Sequence, residues 1–273
     1  MSVILSRRPS SPISTTRLPH LPFELIWAIV EQTLLQLSHN ARGKDISIVI
    51  PIHLITLNRV MHTLVLKLVY QTVILSSSRA VSKFLYFLTS CPNVANLVRN
   101  LWIGTARLEA FAHQVGWVPC AIKRILERAR HIKRLALPAA FYPIGLNEVS
   151  LDHLTVNGGG FVGLLGKPNT LHIYGLAQTE VLRRSVEKDL GRVICEIKRP
   201  CAPGAIAHLI DELSGCGKVN LQLELVVGPG LETWLDEELV SVQGICSGVT
   251  VRTKVEVLDE SPAEEWARRW RVL

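Results

Sequence analysis

Three segments of the chain carry residue types that phosphate binding and nucleophilic catalysis use. In the first, Gly158, Gly160 and Gly163 match the G-x-G-x-x-G pattern of dinucleotide-binding proteins, and a strand-like run precedes them. Such a site also needs a helix directly after the glycines, because the N-terminus of that helix binds the pyrophosphate. Gly166 and Pro168 would end a helix after about one turn, so a glycine-rich turn between repeats is the favoured interpretation.

The other two segments each lack a part of the motif that they resemble. The segment GCGKV (215–219) ends like a phosphate-binding loop, but Glu212 stands where the first glycine belongs and Val219 where a Ser or Thr would bind magnesium. In GICSG (244–248), Cys246 has the position of the nucleophile in a nucleophile elbow, but a strand pattern follows it where a helix is required. Neither segment therefore predicts an active site.

The histidines and acidic residues add no catalytic pattern. They show no spacing typical of a metal site, a Ser-His-Asp triad or a catalytic pair of carboxylates. His153 and His172 lie in neighbouring strand-like runs, where histidines are usually surface or hydrogen-bonded core groups. The sequence therefore predicts a protein that is not an enzyme, with no catalytic residue, no cofactor and no metal.

Cysteine usage and hydropathy indicate an intracellular protein. The six cysteines form no Cys-x-x-Cys pair, so reduced thiols in the cytoplasm or nucleus are the simplest interpretation, although the proximity of Cys195 and Cys201 leaves a disulfide open. No run of about 18 residues is apolar throughout and free of charge, and no secretory signal is recognised. We therefore expect no membrane partner.

The net positive charge is modest and spread along the chain, and one predicted helix carries several of the cations. The formal net charge of the chain is +7, and the segment AIKRILERARHIKR (121–134) carries the cations Lys123, Arg124, Arg128, Arg130, Lys133 and Arg134. Its apolar residues share one stripe, so the cations are expected on the outer face. These cations could contact phosphate groups, but they have no aromatic side chains beside them on which bases could stack. A solvated helix face is therefore favoured, and nucleic-acid binding is not expected.

Short aliphatic runs and helical patterns alternate along most of the chain. The runs that predict strands are YQTVIL (70–75), LVRNLWI (97–103), IKRLAL (132–137), LDHLTV (151–156), TLHIY (170–174), RVICEI (192–197), VNLQLELV (219–226) and VTVRTKVEV (249–257). Helical patterns between them span Ala80–Leu88, 122–132, Glu180–Leu190 and Ala205–Leu213. The spacing of roughly 20 to 35 residues is similar to that of a leucine-rich-repeat array. An α/β fold with an irregular β/α array follows, and an ordinary α/β sheet is the alternative.

The two ends of the chain have a different composition. Residues 1–17, rich in Ser, Thr, Arg and Pro, predict a disordered tail, and residues 23–38 and 51–70 keep the helical period. The C-terminal segment SPAEEWARRWRVL predicts a closing helix, in which Trp266 and Trp270 are expected to seal an open edge of the core.

The two N-terminal helical segments resemble an F-box of the divergent type common in fungal proteins. The start of that pattern is matched by Leu21, Pro22, Glu24, Leu25 and Ile29. Leu57-Asn58-Arg59 corresponds to an aliphatic-Ser-Arg step with Asn in place of Ser, and Val69-Tyr70-Gln71-Thr72-Val73 matches the exit closely. The segment ISIVIP (46–51) departs from the polar loop and acidic start expected before the second helix.

This resemblance implies a non-catalytic protein that docks on the Skp-type adaptor of a cullin-based SCF ubiquitin ligase. The residues that it assigns to the adaptor contact are Leu21, Pro22, Leu25, Ile26, Ile29, Val30 and Leu57. It implies a helical F-box-like module at 18–75 and a repeat-like domain at 76–273 that holds a protein substrate. The alternative is an interaction scaffold without ligase association, in which the helical pair only caps the array.

Overall fold

In this computed structural model, the structure describes residues 32, 59–105, 107–111, 117–138, 151–157, 168–175, 190–215, 220–240, 242, 248–256, 263 and 266. The helices are α1 (Arg59–Gln71), α2 (Ser78–Ser90), α3 (Pro92–Ala95), α4 (Trp117–Arg128), α5 (Ala205–Ser214) and α6 (Glu232–Val240). The strands are β1 (Thr72–Leu75), β2 (Asn100–Ile103), β3 (Arg134–Leu137), β4 (His153–Asn157), β5 (Thr170–Tyr174), β6 (Arg192–Ile197), β7 (Leu221–Val227) and β8 (Val249–Val255).

All eight strands belong to one parallel sheet, and their order in the sheet is their order in the chain. The predicted α/β class is confirmed, and each of the eight predicted strand runs overlaps an observed strand. The alternation of apolar and polar residues predicted them because successive side chains of a strand point to opposite faces. The predicted tail at 1–17 lies outside the described residues, as does the predicted helix at Glu180–Leu190 except for Leu190, which lies in neither a helix nor a strand.

One face of the sheet and the apolar stripes of the helices form the main core. The helix residues buried there include Val81, Phe84 and Leu88 of α2, Ile122 and Ile125 of α4, and Ile206, Leu209 and Leu213 of α5. The strand residues in the same cluster include Leu101, Ile103, Leu135, Leu137, Leu154, Val156, Leu171, Ile173, Val193, Leu223 and Leu225. Burial of each such side chain contributes about 1.5–3 kcal/mol, so this layer holds each helix against the sheet.

Helix α2 begins where its sequence provides a cap. Ser77 is extended, and its hydroxyl accepts a hydrogen bond from the backbone N–H of Ala80 at 3.2 Å. This bond satisfies one of the amide groups that a helix start leaves without an intrahelical partner. The cap fixes the start of α2 only two residues after β1 ends, so the helix returns directly across the sheet.

A second, smaller core lies on the opposite face of the sheet. Trp102 of β2, Ala136 of β3 and Leu108 of the loop after β2 are buried there with Ala263 and Trp266. Sequence analysis expected Trp266 to seal an edge of the core, but it lies over strands near the start of the sheet. The large apolar surface of Trp102 explains this position, because it would otherwise be open to water. Trp270 lies outside the described residues.

The loop after β2 is shaped by a glycine that no other residue would replace without strain. Gly104 has φ +143°, and a Cβ atom there would lie 2.8 Å from Cγ of Pro138. The loop then closes by a hydrogen bond from the backbone N–H of Thr105 to the carbonyl of Glu109, at 3.1 Å. This tight turn places Leu108 in the second core.

Candidate functional site

The candidate site is the face of the sheet that lies opposite the helices, here called the polar face. Its first row, in register across the strands, consists of Thr72, Asn100, Arg134, His153, Thr170, Arg192, Gln222 and Thr250. Its second row consists of Ile74, Trp102, Ala136, Thr155, His172, Ile194, Glu224 and Arg252. Polar side chains at equivalent positions of neighbouring strands form a continuous surface, because side chains of equal parity share a face.

The first row begins with a chain of hydrogen bonds between side chains. The side-chain amide of Asn100, which is fully buried, donates to the Thr72 hydroxyl at 2.9 Å. Its carbonyl oxygen accepts from a guanidinium N–H of Arg134 at 3.1 Å. A buried amide without such partners would cost about 1–3 kcal/mol, so the two neighbours make Asn100 tolerable and fix the direction of the Arg134 side chain.

Two histidines and a glutamate meet in the middle of the polar face. Nε2 of His172 lies 2.9 Å from Oε1 of Glu196, within ion-pair distance but without the alignment of a hydrogen bond. The ring of His153 lies edge-on to that of His172 with 5.7 Å between centroids, and Tyr174 lies on its other side at 4.8 Å. His153, His172 and Glu196 are all buried. The prediction that the two histidines occupy neighbouring strands is confirmed.

This cluster pairs an imidazole with a carboxylate, which are groups that proton exchange uses. A His–Glu pair orients an imidazole, and a hydrolase would add a nucleophile within hydrogen-bond reach of that imidazole. The hydroxyl of Thr155 instead accepts a hydrogen bond from Nε1 of Trp266 at 3.2 Å. Within the described ranges, no three His, Cys, Asp or Glu side chains converge to hold a metal ion.

Aromatic side chains converge above the first half of the polar face. Trp102 and Trp266 make an edge-to-face contact with centroids 5.6 Å apart, and Trp102 lies 6.3 Å from Tyr174. Trp102 lies in β2 and Tyr174 lies in β5, and these two strands would be about 14 Å apart on a flat sheet. The small side chains of Ala136 and Thr155 between them leave room for the rings to approach. The polar face is therefore covered around β2–β5 by Trp266 and its aromatic neighbours.

In the second half of the polar face, the first row and the end of β8 are open to solvent, whereas Ile194 and Glu196 are buried. Arg192, Gln222, Thr250, Arg252 and Lys254 are exposed there. Arg192 pairs with Glu224, and Lys254 pairs with Glu256. Exposed ion pairs contribute little to stability, so these side chains can exchange their partners at little cost. The exposed residues of the polar face are therefore available for contacts with another molecule.

The residues that sequence analysis assigned to the adaptor contact all lie outside the described residues. They are Leu21, Pro22, Leu25, Ile26, Ile29, Val30 and Leu57. The same holds for Gly158, Gly160 and Gly163, for Val219 and for Cys246. The helix that carries the exit of the F-box-like pattern is described, and it ends at Gln71 as the start of β1 requires.

The cysteines that the structure describes are free thiols. Cys91 and Cys120 are exposed, Cys201 is partly buried, and Cys195 is buried in β6. The open alternative of a disulfide between Cys195 and Cys201 is therefore not what the structure has. Burial, followed by the charge of Cys201, raises the pKa of Cys195 to about 12. Cys195 is thus a small apolar core residue and not a nucleophile.

Sequence reasoning missed Asn100, Arg134 and Glu196 as members of one surface. The signal is present, since each is a polar residue at an in-register position of a run that is mostly aliphatic. The registers between strands are set by crossovers of different lengths, so the alignment of these positions emerges only in the folded sheet.

Comparisons of the chain with protein-family models, curated proteins and solved structures found no match. Among the residues with a described placement, no helix is long and apolar enough to cross a membrane.

Proposed function

We propose that this chain is a non-catalytic, F-box-like substrate receptor. In this proposal, Leu21, Pro22, Leu25, Ile26, Ile29, Val30 and Leu57 contact the Skp-type adaptor of a cullin-based ubiquitin ligase. The open half of the polar face contributes to binding a protein substrate. Such a receptor works in the cytoplasm or nucleus by raising the effective concentration of its substrate near the ligase.

The observation that carries the proposal is the junction between α1 and β1. The exit of the F-box-like pattern covers the end of α1 and the start of β1, and the two elements meet without a loop. Tyr70 of this exit stacks on Phe87 of α2 with centroids 5.2 Å apart. Thr72 accepts the hydrogen bond from Asn100. Two residues of the matched pattern therefore tie the helical module to the sheet that follows.

The order of the strands supports a repeat-like interpretation of the domain. A doubly wound sheet binds nucleotides where its strand order reverses, and the described strands run from β1 to β8 without a reversal. Sequential parallel strands with helices between them are typical of leucine-rich-repeat-like arrays, in which each unit packs on its neighbours. Such arrays recognise proteins through an extended sheet face, which is the role proposed here for Arg192, Arg252 and their neighbours.

The test is co-purification of the full chain with a Skp-type adaptor. The double variant Leu25→Asp, Ile29→Asp puts two charges into the proposed apolar contact and should lose the adaptor. The matched control Gln32→Asp puts a charge at an exposed residue of the same predicted helix and should retain the adaptor. Circular dichroism of each variant verifies that the chain is folded.

Failure of the native chain to retain any adaptor would overturn the ligase proposal. Equal loss of the adaptor in the test variant and in the matched control would also contradict it, because the contact would then not depend on the apolar stripe. The interaction scaffold without ligase association would take its place.

A further inference from the structure

The outer surfaces of α2 and α4 form one basic face that sequence analysis saw only in part. The basic helical face is defined by Arg79, Lys83 and Tyr86 of α2 and by Trp117, Lys123, Arg124 and Arg128 of α4. All seven side chains are exposed. Their exposure follows from helical periodicity. The apolar residues of each helix lie on the stripe that packs against the sheet, so these residues lie on the other side.

The two helices are fixed side by side. Both connect consecutive parallel strands, so they run in the same direction. Near their C-terminal ends, the guanidinium of Arg128 donates a hydrogen bond to the hydroxyl of Thr89. From this contact, Tyr86 lies level with the turn of α4 that carries Arg124 and Arg128, and Trp117 lies level with the start of α2. The basic helical face is therefore a single patch.

Its charge is almost all of one sign. Glu127 is the one acidic residue in α2 or α4, and its carboxylate lies 4.0 Å from Nζ of Lys123. Both side chains of that pair are largely exposed, so the pair binds weakly and leaves the positive potential of the patch nearly intact. A surface of this kind attracts polyanions and raises their rate of encounter.

The aromatic side chains decide which polyanion fits. Two aromatic side chains lie on the basic helical face: Trp117 begins α4 itself, and the fold brings Tyr86 of α2 beside it. Tyr86 is 76% exposed and Trp117 is 38% exposed. An exposed aromatic ring between cations is a stacking platform for unpaired bases, while the cations contact the phosphates.

We infer that the basic helical face binds single-stranded nucleic acid. An acidic protein is a poorer fit, because protein interfaces have an apolar centre with few lysines. The exposed residues of α2 and α4 include no aliphatic side chain. An anionic membrane surface is a poorer fit for the same reason, since a membrane-bound helix buries an apolar face in the lipid. This inference does not rest on adaptor binding.

The test measures binding of the full chain to a fluorescent single-stranded RNA of about 12 nucleotides by anisotropy at low salt. Tyr86→Ala should weaken binding about tenfold or more, whereas Tyr86→Phe keeps the ring and should stay within about twofold. Arg124→Glu should weaken binding and lower the dependence on salt. The charge-matched control Arg199→Glu changes an exposed residue after β6 and should have a much smaller effect.

Several results would overturn the inference. One is the absence of RNA binding at low salt. Another is equal binding of Tyr86→Ala and the native chain, which would indicate charge without base stacking. A third is equal or tighter binding to poly-glutamate or to vesicles that contain phosphatidylserine. Adaptor co-purification of Tyr86→Ala should equal that of the native chain, so this inference and the receptor proposal can fail separately.

Discussion

At the scale of single residues, several buried polar groups of the described chain are held by specific partners. Glu238 of α6 shows this best. Its two carboxylate oxygens accept hydrogen bonds from the backbone N–H of Gly204, at 3.0 and 3.1 Å, just before α5 begins. A carboxylate at this position satisfies an amide that has no intrahelical partner and favourably meets the positive end of the helix dipole. One acid thus links two helices.

Replacement of Glu238 by Gln should lower the free energy of unfolding by about 1 kcal/mol, because the charge and one acceptor oxygen are lost. Urea denaturation measures the change. The neighbouring Glu237 is exposed, and Glu237→Gln should change the stability by less than about 0.5 kcal/mol. Equal effects of the two substitutions would contradict the proposed cap.

Cys195 predicts a dependence of stability on pH. Its pKa rises from 9.0 to about 12 on folding, so above pH 9 the unfolded chain loses this proton while the folded chain keeps it. The unfolded state then binds fewer protons, and the free energy of unfolding falls with rising pH, by up to about 1.4 kcal/mol per unit. The stability that comes from the difference between the two pKa values of Cys195 is fully present below pH 9 and is lost as the pH approaches 12.

The measurement compares denaturation at pH 8 and pH 10.5 for the native chain and for Cys195→Ala. The variant should be less stable at both values but should lose less stability between them. At pH 8, an alkylating reagent should modify the exposed Cys91 and Cys120 in the folded protein, and Cys195 only after unfolding. Rapid alkylation of Cys195 in the folded chain would contradict its burial.

At the scale of helices and strands, local pattern predicted much of the structure. All eight described strands overlap predicted aliphatic runs, most of which alternate with a period of two, and α2, α4 and α5 each overlap a predicted helix. Helix α6 was not predicted, because Trp234, Leu235, Leu239 and Val240 do not form a stripe along one face. Helix α3 was not predicted because it has four residues, too few for periodicity to show.

The sequence pattern predicts helices and strands, but it does not predict which backbone segments approach each other closely. Gly104→Ala should lower the free energy of unfolding by about 2 kcal/mol or more, since the new Cβ would press on Pro138 and φ is positive. Gly175 also has a positive φ, +89°, but its Cβ would meet open space. Gly175→Ala should therefore cost only about 1 kcal/mol. Thermal or urea unfolding of both variants tests the difference, and equal losses would contradict the role of the contact.

At the scale of the whole molecule, the C-terminal segment reaches back to the first half of the sheet. Trp266 is 111 residues from Thr155 in the chain, and its indole N–H still donates to that hydroxyl. No periodicity or motif in the sequence pairs two residues so far apart, so this contact could not be predicted. The polar face as a functional surface was missed for the same reason, since it is made by seven separate strand registers.

Trp266→Ala should lower the free energy of unfolding by about 3–5 kcal/mol, because a buried indole is lost and Trp102 is uncovered. Trp266→Phe keeps most of the packing, loses the hydrogen bond to Thr155 and should cost less. Trp117→Ala is the control, since Trp117 is exposed and its loss should change the stability by less than about 1 kcal/mol. If Trp266→Ala unfolds like the native chain in urea, the segment does not cover the polar face in solution.

The sequential order of the strands also bears on how the protein is made. A nascent chain can add each strand to the one completed just before it, so the sheet can grow while translation continues. The cover over the polar face forms later than the strands beneath it, because Trp266 is synthesised 111 residues after Thr155. At about 5–20 residues per second, Thr155 is synthesised roughly 5 to 20 seconds before its partner Trp266, and Trp102 is synthesised earlier still. During that interval the indole of Trp102 lacks the cover that Trp266 gives it in the finished protein.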